Sequence, residues 1–66
     1  MSEVRQWIVQ QCNVYGSCNV RVVRFHQEFG QDEAAAQLAV NEFCRANKLN
    51  VEFIPEKMHY VFRKAE

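Results

Sequence analysis

Apolar positions along this chain follow a helical period twice and a strand period once. In the first segment Val4, Trp7, Ile8 and Cys12 recur at helical spacing, with Arg5, Gln6, Gln10 and Gln11 outside the stripe. Tyr15-Gly16 supplies the stop. Ser2 is placed to cap this helix, but Arg5 stands where a capping box would carry Glu, so the box is incomplete. The clearest helix is "QDEAAAQLAVNEFCRANKLN". Asp32 suits its N-cap, Glu33 suits the positive first turn, and Asn47 and Asn50 bracket its end. Ala36, Ala39, Val40, Phe43 and Ala46 form its buried stripe, supported by Leu38 and Ala35. Gln37, Asn41, Arg45 and Lys48 lie four, four and three residues apart and share one solvent face.

In "LNVEFIPEKMHYVFRK" the period falls to two. Val51 and Phe53 alternate with Glu52, and Met58, Tyr60 and Phe62 alternate with His59, Val61 and Arg63. Pro55 has no N–H to donate, so it belongs in the turn or at its edge, and the strands fold about Pro55-Glu56-Lys57. A lone hairpin is marginal in water, so this one must pack on the helices before it. Between the first helix and Gly30, "SCNVRVVRFHQEFG" is read as a helix capped by Ser17 or Asn19, with its first residues extended. Val22, Phe25 and Phe29 then share a face, with Val23 and His26 beside them. The competing reading takes residues 19–25 as a strand, which is rich in β-branched residues but breaks alternation at Val22-Val23. The two readings differ at Arg21 and Arg24, which sit on a helix in one and on a sheet in the other.

Sixty-six residues make one domain, 1–66. A chain this short buries about 60% of its unfolded surface. Its 48% hydrophobic and 24% charged composition, with two glycines and one proline, is that of a globular domain rather than a linker or tail. Eight Lys and Arg balance eight Asp and Glu. That weighs against a protein that wraps nucleic acid mainly by charge, and leaves room for a local basic face. There is no apolar run near the roughly 20 residues of a membrane span, and Glu3 and Arg5 interrupt any leader-like core. Three cysteines leave one over, which suits a reducing, cytoplasmic setting.

The residues point to no cofactor, metal, small-molecule substrate or enzymatic activity. Cys12, Cys18, His26, Cys44 and His59 lack the tight paired spacing of a zinc site, and Cys12 and Cys44 fall on or beside apolar stripes. Cys18 looks the most exposed thiol, near a helix start that would lower its pKa. Yet the chain shows no phosphate loop and no paired carboxylates.

The order of helix, helix, tight glycine turn, helix and hairpin, with "FGQDEAAAQLAVNEF" at its centre, resembles the winged helix-turn-helix superfamily. More loosely, "VRQWIVQQC" with "VRVVRFHQEFG" and "AVNEFCRANKL" is similar to small winged domains of phage and plasmid primase-helicases. The resemblance implies an α+β fold, three helices followed by a C-terminal β-hairpin that serves as the wing. It also implies a small regulatory DNA-binding protein from a phage or mobile element. Gln37, Asn41 and Arg45 would then read bases, since Asn and Gln match adenine and Arg matches guanine. Arg21 and Arg24, Lys48 beside that row, and Lys57, Arg63 and Lys64 of the wing would hold phosphate.

Against this stand Asp32 and Glu33 at the start of the third helix; with Glu42 they outweigh Arg45 and Lys48 by one charge. The alternative is a protein-interaction module, an inhibitor or assembly adaptor, or a homodimer. It would use an edge strand and exposed aromatic side chains, with Tyr15, His59 and Tyr60 as the contact residues. Trp7, Phe25 and Phe43 are expected inside, because small domains depend on dense aromatic burial.

Overall fold

The structure is a computed structural model that describes residues 3–65; Ser2, the expected cap, lies outside them. Its elements are α1 (Glu3–Tyr15), β1 (Ser17–Arg21), α2 (Val22–Phe29), α3 (Glu33–Asn47), β2 (Leu49–Ile54) and β3 (His59–Lys64). This is a small α+β fold of three helices and one three-stranded antiparallel sheet in the order β1-β3-β2. The helices and closing hairpin are where the pattern puts them. The correction is β1: the extended start expected of the second helix is a full strand of the sheet, and the helix begins only at Val22 rather than after a cap at Ser17 or Asn19.

The physical reason lies in the same residues that made this segment ambiguous. Alternation holds from Ser17 to Arg21, where Cys18 and Val20 turn inward and Ser17, Asn19 and Arg21 outward. It breaks at Val22-Val23, and the helix starts there. The hairpin leaves one edge of β3 unpaired, and β1 fills it, with Cys18 opposite Phe62 and Val20 opposite Tyr60. Arg21 therefore projects from the sheet and Arg24 from a helix, one from each competing reading.

All three helices contribute to one core cluster on a single side of the sheet, with Ile8, Cys12, Phe25, Phe29, Ala36, Val40, Phe43, Leu49 and Phe62 among its buried members. Rings connect continuously through it. Phe53 touches Tyr60 at 4.9 Å, Tyr60 stacks on Phe25 at 3.7 Å, and Phe25 meets Phe29 at 5.0 Å. Phe29 then reaches Phe43 at 5.5 Å and Phe62 at 6.1 Å. Tilted and stacked aromatic pairs of this kind add to plain area burial. Trp7 departs from expectation: with Ile8 and Cys12 pointing at the sheet, it sits at the rim and is 44% exposed.

Local chemistry sets each junction. Gly30 has φ 134°, which a side chain tolerates poorly, and its N–H donates to the His26 carbonyl at 3.0 Å. His26 Nδ1 donates to the Gly30 carbonyl at 2.9 Å, since a carbonyl can only accept. Asp32 caps α3 by accepting from the Ala35 N–H at 3.0 Å. The start of α2 has no side-chain cap; instead the Val22 N–H donates to the Met58 carbonyl of the hairpin turn at 3.2 Å. Arg5 ties α1 to α2, donating to Glu28 at 2.7 Å with its guanidinium 5.0 Å from the Phe29 ring centre.

Phe62 is fully buried, so Phe62→Ala is expected to cost about 3–5 kcal/mol, enough to unfold a marginal domain. Gly30→Ala should cost about 1–3 kcal/mol through backbone strain alone. Urea titrations followed by circular dichroism would measure both, and an unchanged midpoint for Phe62→Ala would refute its central place.

Candidate nucleic-acid and partner surfaces

Helix α3 divides cleanly. Ala36, Val40, Phe43 and Cys44 turn inward, while Gln37, Asn41, Arg45 and Lys48 are all exposed, as their spacing requires. Gln37 Nε2 donates to Asn41 Oδ1 at 3.0 Å, one turn along the same face. Ala46, expected in the buried stripe, and Leu38 and Ala35, expected to support it, are exposed, Leu38 at 68%. The cause is angular, because two steps along a helix carry Leu38 about 200° round from Ala36. Leu38 thereby joins Asn41 and Arg45 on the outermost ridge, a placement readable from its offset within the stripe. Of the two acids at the helix start, Asp32 is engaged as the cap, while Glu33 is exposed.

The basic residues do not form one patch. Arg21, Lys57 and His59 line a shallow concavity with Val22, Val23 and Met58, where the hairpin turn meets the start of α2. Arg24 lies in a different groove with Glu3, Val4, Trp7 and Asn19, which Arg21 also borders. Arg63 and Lys64 stand at the opposite end of β3, roughly 20 Å of extended strand from Lys57. The hairpin therefore cannot close all three on one phosphate. Arg63 is engaged by Glu52 at 2.8 Å in an exposed pair, which offsets its charge and adds little stability. Lys48 ends α3 in a left-handed conformation, its carbonyl accepting from the Ala65 N–H at 2.9 Å.

Of the three residues assigned to a protein partner, Tyr15 is open, at 73% exposure and next to exposed Val14. His59 is half-buried opposite Arg21. Tyr60 is stacked between Phe25 and Phe53 and belongs to the packing, so it is not a free anchor. Burial, and secondarily the nearby Glu33 carboxylate, push its hydroxyl pKa up.

Cys18 is the plainest reversal among the chemical candidates. Its place in β1 turns it inward, and burial, with Cys12 adding to it, pushes its thiol up to about 11. Cys44 is likewise pushed up to about 11 by burial and Cys12, and burial raises Cys12, whose thiol donates to the Phe62 carbonyl at 3.5 Å. These are packed thiols rather than nucleophiles. Among the described residues no three His, Cys, Asp or Glu side chains converge as metal ligands, and no helix is long and apolar enough to cross a membrane.

Set against known proteins, the chain has no match. Neither a protein-family model, nor a curated protein, nor a solved structure is significantly similar to it. Its surfaces must therefore be read from their own chemistry.

The thiols carry a pH prediction. Their folded pKa values lie above the ordinary 9.0, so the neutral thiols stabilise the fold below pH 9, and that contribution is lost as pH rises toward about 11. Thermal melts between pH 8 and 11 should show a falling midpoint, blunted in Cys18→Ala relative to its own value at pH 8. A flat profile over that range would contradict the burial assigned to Cys18 and Cys44.

Proposed function

We propose that this chain is a small DNA-binding domain of the winged helix-turn-helix type. The order helix, strand, helix, helix, strand, strand, with β1 joined to β3, supports that reading. So does the short turn at residues 30–32 that joins α2 to α3. The single observation that carries it is the outward ridge of α3, where Gln37, Leu38, Asn41 and Arg45 stand exposed side by side. Two amides, one guanidinium and one aliphatic group are the complement of base edges in the major groove. Amides pair with adenine, Arg with guanine, and an apolar side chain with the thymine methyl. Lys57 at the hairpin turn and Arg21 beside it supply phosphate contacts at one end of the molecule.

The rival reading, a protein-interaction module, is favoured by the exposure of Leu38, Val14 and Tyr15 in a chain of zero net charge. Fluorescence anisotropy on mixed-sequence duplex DNA at two salt concentrations separates the two. A DNA binder loses affinity steeply as salt rises. On a preferred sequence Arg45→Ala should lose about 1–3 kcal/mol, one to two orders of affinity, while Lys57→Ala should weaken binding evenly across sequences and flatten the salt slope. Absence of any binding at low salt overturns the DNA reading and leaves the protein module.

A further inference from the structure

Strand β1 is an edge strand whose free side is unusually well prepared for a partner. Two hydrogen bonds flanking its ladder set the phase: Lys64 N–H to the Gly16 carbonyl at 3.3 Å, and Val22 N–H to the Met58 carbonyl at 3.2 Å. In antiparallel pairing such bonded positions alternate, so Cys18 and Val20 bond to β3. Ser17, Asn19 and Arg21 then turn their backbone N–H groups away from the sheet, with the Ser17 and Asn19 carbonyls beside them. Apart from a 4.0 Å approach of the Cys18 thiol to the Asn19 carbonyl, these outward groups have no hydrogen-bond partner in the sheet among the described residues.

Alongside this edge runs the groove bordered by Glu3, Val4, Trp7, Asn19, Arg21 and Arg24, and in it the chain's only tryptophan is 44% exposed. Edges that avoid association carry Pro, charged side chains or a bulge; β1 has no Pro and an unbroken register, and its one charged residue, Arg21, stands at its last position. The β2 edge is guarded by contrast, carrying Glu52 and ending at Pro55.

We propose that β1 pairs antiparallel with β1 of a second copy of this chain, centred on Asn19, so that one sheet runs through both copies. Each Asn19 exchanges N–H and carbonyl with the other, and each Arg21 N–H reaches the other copy's Ser17 carbonyl. The register is self-complementary, as a two-fold contact must be. Arg21 faces Ser17 and never its own copy, so no like charges meet across the pair. The groove itself carries both signs, Glu3 against Arg21 and Arg24, and a second copy presents the same set. Zero net charge removes the long-range repulsion that would keep two copies apart.

A standard interface takes roughly 800 Å² per partner, about a sixth of this chain's 4806 Å². A five-residue strand alone covers less than that, so Trp7 and Val4 must contribute and the dimer is expected in the micromolar range. This proposal concerns a surface separate from the α3 ridge and does not depend on the DNA reading.

Sedimentation equilibrium from about 1 to 500 μM tests it, with tryptophan emission as a second readout, because Trp7 alone reports. The wild-type mass should rise to that of a dimer as the emission shifts to the blue. Asn19→Pro removes an N–H that β3 does not use, so the ladder should survive while the dimer is lost. Trp7→Glu, outside the ladder, should also be monomeric, and circular dichroism verifies the fold of both. A wild-type protein that stays monomeric over the whole range overturns the proposal. So does a dimer that persists in a folded Asn19→Pro or Trp7→Glu variant.

Discussion

Everything in this molecule leans on β3, among the described residues the only strand paired on both sides, and on the Phe62 side chain at its middle. Phe62 is wholly enclosed, and each helix reaches it differently. Helix α1 does so by the Cys12 thiol on its carbonyl, α2 by Phe29, and α3 by Phe43. A hairpin of two short strands does not hold its shape alone, and amphipathic helices of 8 to 15 residues need an apolar surface to pack on. Phe62 and the rings linked to it provide that surface. The remainder of the core extends outward from this contact, through Phe29 and Phe25 to Tyr60 and Phe53.

That arrangement decides which chemistry remains available at the surface. The thiols face inward and are held protonated, Tyr60 is clamped between two rings, and Asp32 is engaged as a helix cap. What faces water includes the ridge of α3, the end of α1 at Val14 and Tyr15, the hairpin turn, the β1 edge, and the sheet face that carries Glu52 and Arg63. The hairpin turn is not a loose arm, because the Met58 carbonyl holds the first N–H of α2. Lys57 and Arg21 are thus carried on the same frame that positions α3. A ligand bridging ridge and turn would meet a preset geometry instead of ordering a flexible segment on contact.

Much of this was readable from residue order. The first helix, the Asp32 cap, the solvent row from Gln37 to Lys48 and the closing hairpin follow from spacing and local propensity, and the structure has each of them. Three features were not readable in that way. The strand at residues 17–21 depends on an unfilled edge of β3 about forty positions away in sequence. The exposure of Trp7 depends on how far α1 rolls against the sheet, and a stripe with one apolar residue too many does not say which is left out. The hairpin turn was legible as a turn at Pro55, but its left-handed position falls on Met58, with φ 52°, where composition would favour glycine or asparagine.

The candidate site divides along the same line. Residue order alone places Gln37, Leu38, Asn41 and Arg45 on one outer face, because helical period is a local property that any packing must respect. It likewise determined that the basic side chains are few and balanced by acids. What tertiary contacts had to supply is the distance of Lys57 from Arg63 and Lys64 and the enclosure of Cys18 and Tyr60. The reason is that burial and distance between remote residues are set by pairing and packing across the whole chain. Spacing of two or of 3.6 residues carries information about which side chains travel together, and none about which of them the rest of the protein will cover.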